Sequence, residues 1–173
     1  CIGALIHDIG KSLIPKRLME KETQFTESEI EILNHHPRLG YKYLSSTYNI
    51  NSLSKLIVLQ HHERPDGLGF PDRLTDENII DLSKIVSIAD AYDNLSTDLP
   101  GKRAMFPSDV LEYLMSNAGT MFDYNLISVF CRIIIPFPKG TVVRLSTEEI
   151  ARVEETIPNF PLRPILRIIS GPR

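Results

Sequence analysis

"HHERPDGLGFP", residues 61–71, sets two adjacent histidines and a glutamate at the mouth of a loop built from Gly, Asp and Pro. On a helix end, neighbouring side chains diverge by about 100°, so His61 and His62 suit two neighbouring ions, or one ion and a substrate. Upstream, Leu53, Ile57 and His61 follow at four-residue spacing in a segment opened by Ser52, which reads as a helix with His61 beside the core. Gly67 and Gly69 permit tight backbone turns, and Pro71 fixes the exit of the loop.

Outward from this stretch the chain reads as mostly helical. "CIGALIHDIG", residues 1–10, reads as the last turns of a buried helix ending at Gly10, with Pro15 marking the next loop. Thr26 and Glu29 form a capping-box pattern, and Ile30, Leu33 and His36 then recur at three-residue steps, which places His36 on the inward side of that helix. The acidic run Glu27, Glu29 and Glu31 reads as a solvated helix face. Residues 81–96, "DLSKIVSIADAYDNLS", form a strong helix pattern, with Leu82, Val86, Asp90 and Asp93 along one stripe. Residues 107–134 read as two helices split near Gly119. At "IPFPKG", residues 135–140, two prolines and a glycine end the helical pattern. "TVVRLS" and "RPILRII" beyond it have the β-branched content of short strands. The fold class expected is mainly α, with a helical domain over residues 1–135 and a small C-terminal β extension over 136–173.

Composition limits the functions open to the chain. It has 173 residues, 42% hydrophobic and 24% charged, with a net charge of −3, so it has no global basic field for a nucleic-acid polymer. Cys1 and Cys131 have no motif spacing and read as free thiols, which fits a reducing, cytoplasmic setting. No apolar run approaches the roughly 20 residues of a membrane span. A start at Cys1 rather than Met reads as a piece of a longer chain.

The five histidines all lie before residue 63. An inward histidine alone is more often a hydrogen-bonded core residue than a ligand, and Asp8 alone could cap a turn. Asp90 and Asp93 on an apolar face are different, because burying an unpartnered carboxylate costs several kcal/mol. A metal centre uniting these histidines with Asp8 and Asp90 would satisfy all of the burials together. Imidazole with carboxylate suits Zn, Mn or Fe, and the lack of nearby thiolates argues against a structural Cys-type zinc site. Two divalent cations outweigh two carboxylates, so the centre would be a positive focus suited to phosphate. Lys11 reads equally as an ion-pair partner of Asp8 or as a phosphate contact.

Four blocks in order, "HDIGK" at 7–11, His36-Pro37 after an acidic helix, "HHERPDGLGFP" at 61–71 and "IADAYDNLSTD" at 88–98, resemble the HD-GYP domain, a branch of the HD metal-dependent phosphohydrolases. "IPFPKGTVVRLS" through "PLRPILRII" is similar to the β tail that often follows it. The resemblance implies an HD-type helical bundle that holds two or three divalent ions, Fe or Mn. Its implied activity is hydrolysis of the bacterial second messenger cyclic di-GMP to pGpG and, in some members, on to GMP. It implies His7, Asp8, His36, His61, His62 and Asp90 as metal ligands, with Asp8 bridging. Lys11 would contact phosphate or the nucleophilic water, Asp93 would help to position water, and Glu63 would orient the neighbouring histidines. His35 has no implied role and is expected to face solvent.

The chain departs from the pattern at Phe70, where the family has Tyr, keeping the ring and losing the hydroxyl. It also departs at Leu99 and Gly101, where the family has an Arg and an aromatic residue. Lys102 keeps its basic character and, with Lys11, Arg64 and Phe70, makes up the expected substrate contacts. A preceding helix with further Glu or His ligands is also implied. Partners expected are a cyclic dinucleotide, an upstream sensor or regulatory domain and a second copy of the chain. Other readings are a binding module with feeble turnover, a phosphohydrolase of another nucleotide, and a purely structural helical domain.

Overall fold

The computed structural model describes residues 2–21, 23–46, 49–98, 103–157 and 160–171. The departures at Leu99 and Gly101, the expected contact Lys102, and Cys1 lie outside them. The helices are α1 (Ile2–Leu5), α2 (Lys16–Met19), α3 (Glu27–Leu33), α4 (His36–Ser45), α5 (Ser52–Gln60), α6 (Asp81–Ser96), α7 (Pro107–Ser116) and α8 (Tyr124–Ile133), with 3-10 turns at Ile9–Leu13 and Asp76–Asn78. Among the described residues no helix is long and apolar enough to cross a membrane.

The first helix is shorter than its sequence suggests. It stops at Leu5, and His7 and Asp8 occupy a turn before the 3-10 segment rather than the end of a helix running to Gly10. Gly10 instead serves close packing: a Cβ there would lie 1.9 Å from the carbonyl oxygen of His36, so this segment rests directly on α4. The capping box of α3 forms as expected, the Thr26 side chain accepting from Glu29 N and the Glu29 side chain accepting from Thr26 N. That arrangement is worth about 1 kcal/mol.

His36, however, is not on α3. The helix ends at Leu33, because Pro37 has no N–H to return to the Leu33 carbonyl, and α4 restarts with His36 in its first turn. Ile30, expected inward, is 45% exposed, as is Leu53 at 54% on α5, whereas His36 and His61 are buried at 4% and 0%. The stripe on α6 also fails at its end. Ser83, Lys84, Val86 and Ile88 are buried, but Asp93 is exposed, because the last turns lay Ala91, Tyr92 and Leu95 against the core and turn Asp93 away from it.

Val110, Leu111 and Leu114 of α7 are completely buried, together with Ile88, Phe122, Ile127 and Cys131. Each such side chain contributes about 1.5–3 kcal/mol through burial. The C-terminal sheet has the order β1 (Val142–Arg144), β2 (Ile150–Ile157), β3 (Phe160–Ser170), antiparallel throughout. Leu162 of β3 packs against the α6–α8 core and joins sheet to helices.

Candidate metal centre

Three histidines arrive at one point by the same local device. His7 Nδ1 lies 2.7 Å from the carbonyl of Ala4, His36 Nδ1 2.8 Å from that of Leu33, and His61 Nδ1 2.9 Å from that of Val58. Each carbonyl is three residues back, in the last turn of a helix that has just ended, where main-chain acceptors lack intrahelical partners. The histidine takes up the freed acceptor, which puts the proton on Nδ1 and leaves the Nε2 lone pair pointing elsewhere.

Those Nε2 atoms face Asp8. His36 Nε2 is 3.1 Å and His61 Nε2 3.6 Å from Asp8 Oδ1, while His7 Nε2 is 3.4 Å from Asp8 Oδ2 and 3.3 Å from Asp90 Oδ1. His36 and His61 approach each other at 3.3 Å between Nε2 atoms. A lone pair aimed at a carboxylate is tolerable only with a cation between them, either a proton or a metal ion. Both His7 Nε2 and Asp8 Oδ1 are buried with no hydrogen-bond partner. Two groups of donors close enough to share an ion overlap here: Asp8 with His36, His61 and His62, and Asp8 with His7 and Asp90. The oxygen and imidazole donors suit a borderline divalent metal, and Asp8 belongs to both groups.

The electrostatics agree. Burial opposes ionisation of Asp8, but His36, His61, His7 and Lys11 hold its carboxyl far below the usual carboxylate range. His7 is raised to about 10 by Asp8 and then Asp90, so without an ion a proton fills the gap. His62 is pushed down to about 3, chiefly because burial penalises its cation and then because His61 and His36 repel it. It is neutral and ready to ligate at physiological pH. Asp90 is also lowered, His7 and His62 outweighing its burial.

The structure thus brings together all six residues expected as ligands. Lys11 Nζ is 2.5 Å from Asp8 Oδ2, so it is an ion-pair partner of Asp8, and its side chain is 38% exposed beside the centre. His35 is exposed, as expected. Asp93 is exposed, so it is not one of the costly burials. The Phe70 ring lies 4.7 Å from that of His62 and borders a cleft of about 240 Å³ with Arg64, Leu68, Ser87, Asp90 and Met121. Arg64 lines this cleft with its guanidinium turned to Asp66, Nε 3.0 Å from Oδ1.

Glu63 does not orient the histidines. It is 3% exposed, and its carboxylate accepts from Asp72 N at 2.6 Å and Leu74 N at 2.8 Å, across the loop. Sequence reasoning also missed Asn94, whose amide donates to Asp90 Oδ1 at 2.8 Å. Its place four residues after Asp90 on a helix was the available signal. No short-range pattern reveals the Glu63 bonds, which span nine and eleven residues.

The HD domain family model matches residues 2–126. Cyclic di-GMP phosphodiesterase response regulator RpfG of Xanthomonas campestris pv. campestris (strain 8004) is 38% identical over 132 residues, which cover 76% of this chain and 35% of that protein. Cyclic di-GMP phosphodiesterase PdeB of Borreliella burgdorferi is 34% identical over 164 residues, covering 93% of this chain and 43% of that protein. The chain therefore spans about two fifths of the length of these curated relatives. Among solved structures, Bd1817, a HDG"Y"P protein from Bdellovibrio bacteriovorus, superposes with a TM-score of 0.59 at 25% identity, over 72% of this chain and 39% of that one. Family match, shared bundle and a nest of histidines around Asp8 lead to one conclusion: the chain belongs to the HD domain family, in its HD-GYP branch.

Proposed function

We propose that this chain hydrolyses a phosphodiester bond of cyclic di-GMP, releasing linear pGpG, with iron or manganese ions, two or three in number, held by His7, Asp8, His36, His61, His62 and Asp90. The observation that carries the reading is Asp8 Oδ1, a buried carboxylate oxygen with no hydrogen-bond partner, set where the Nε2 atoms of His36 and His61 converge. Divalent ions held there would supply Lewis acidity and activate water for in-line displacement.

The chain's own residues do the remaining work. Asp8, shared by both donor groups, bridges them. Lys11 holds Asp8 ionised and offers its remaining N–H bonds to a phosphate oxygen. Asp93, exposed one turn beyond Asp90, takes the role of positioning water. Phe70 and Arg64 border the cleft beside the centre, Phe70 as an apolar wall and Arg64 as a cation for phosphate. Lys102 is assigned a second phosphate contact. This chemistry is assigned to residues 1–135, and among the described residues 136–173 supply none of the candidate donors. The names of the relatives support a cyclic dinucleotide as substrate, and a sensor domain in a parent chain fits their greater length.

The test is anaerobic loading with iron(II) or manganese and incubation with cyclic di-GMP, with 3′3′-cyclic GMP-AMP and simple nucleotides as competitors. Appearance of pGpG is the expected result. Tight binding without pGpG would make the chain a receptor for the messenger, and preference for another nucleotide would reassign its substrate.

A further inference from the structure

The loop of residues 64–74 places Phe70 against His62, the ring centroids 4.7 Å apart. The near side of this loop is jammed: a Cβ on Gly69 would lie 2.4 Å from Arg64 N and 2.6 Å from both Glu63 Cα and the His62 carbonyl oxygen, and Phe70 N donates to that carbonyl at 3.1 Å. The far side is tied by Glu63, whose two carboxylate oxygens take Asp72 N and Leu74 N. Arg38 of α4 adds a contact to Asp72 Oδ1 at 2.5 Å and one to the Pro71 carbonyl at 3.3 Å, but its side chain is 57% exposed. Exposed pairs of this kind contribute little, whereas a buried carboxylate gripping two main-chain donors is costly to remove.

We propose that Glu63 is a positioning residue that fixes the loop carrying Phe70, and through it the wall of the substrate cleft beside His62. The part played by substrate rests on the cyclic dinucleotide reading above. Glu63 follows the two histidines directly, so it is anchored in the same rigid segment as the candidate ligands, while its acceptors lie on the exit of the loop. The carboxylate thus ties the exit of the loop to the histidine pair, with Leu68, Gly69 and Phe70 spanned between them. A group acting this way governs the fit of substrate and leaves metal capture alone.

Hydrogen exchange on the wild-type chain reads the latch directly, with the amides of Asp72 and Leu74 expected to exchange at least about a hundredfold more slowly than unbonded loop amides. Glu63→Gln keeps the shape and removes the charge. It is expected to lose about tenfold of that protection, to retain wild-type manganese content, and to raise KM for cyclic di-GMP about tenfold with kcat within about threefold. Glu63→Asp, shorter but charged, is expected to recover part of the loss. Arg38→Ala is expected to change KM less than about threefold.

Loss of manganese in Glu63→Gln, an unchanged KM, or a parallel fall of kcat and melting temperature would each overturn the proposal. Fast exchange at Asp72 and Leu74 in the wild type would also overturn it, and that result needs no variant to fold. If the wild type neither binds nor hydrolyses a cyclic dinucleotide, the substrate reading fails, and the exchange data still decide whether Glu63 holds the loop.

Discussion

Asp8 is the residue on which the centre turns, because both donor groups include it. Asp8→Ala is expected to lower bound metal to below about a tenth of wild type and to abolish turnover, checked by elemental analysis and by pGpG release. Retained metal would remove Asp8 from the centre. His7 gives a pH prediction with a definite sign. Its folded, metal-free pKa is about 10, so at pH 8 the ring carries a proton that an incoming ion must expel. Apparent affinity at the His7, Asp8 and Asp90 group is therefore expected to rise about tenfold per pH unit until the pH reaches that pKa, then level off. His62, at about 3, has no proton to lose and adds nothing to this slope. Manganese titration calorimetry in buffers of different ionisation enthalpy measures the proton released. Most of these residues were legible in the sequence, because adjacency marks His61 and His62 and a carboxylate among aliphatics marks Asp90. Asp93 was misread, since the face that these turns lay on the core is that of Ala91, Tyr92 and Leu95.

At the level of elements, helix ends decide the geometry. Pro37 ends α3 and so frees the Leu33 carbonyl for His36 Nδ1. Pro37→Ala restores a backbone N–H that competes for this acceptor. It is expected to weaken metal binding by about 10–100-fold while far-ultraviolet circular dichroism stays nearly unchanged. Unaltered affinity would show that the carbonyl does not set the ring. Gly10→Ala tests the neighbouring contact. With a Cβ 1.9 Å from the His36 oxygen, it is expected to cost at least about 3 kcal/mol in urea unfolding, because main chain rather than a flexible side chain must move. The sequence pointed to His36 but placed it on the wrong helix, since the apolar period runs on smoothly through a proline that the backbone cannot ignore. The middle strand β2 went unread for another reason. Only Ala151 and Val153 on it are fully buried, and the charges at Arg152, Glu154 and Glu155 leave too short an apolar alternation to read as a strand.

For the molecule as a whole, Leu162 carries the sheet onto the α6–α8 core, where it packs against the buried cluster. Leu162→Ala is expected to cost about 1–3 kcal/mol, read as a lower urea midpoint, with metal content unchanged because the six donors lie in other segments. The helical bundle and the sheet were both legible from the change of pattern at residues 135–140. Not legible was Lys84, buried on α6 beside Asp76 at 2.7 Å, a pairing that becomes visible only when the chain has folded back on itself. The three carbonyls behind His7, His36 and His61 have a final consequence. Because the main chain, and not the cargo, selects each ring's tautomer, the three imidazoles present their Nε2 atoms inward independently of any ion. Exchange of one divalent ion for another then asks for no new orientation of these three rings.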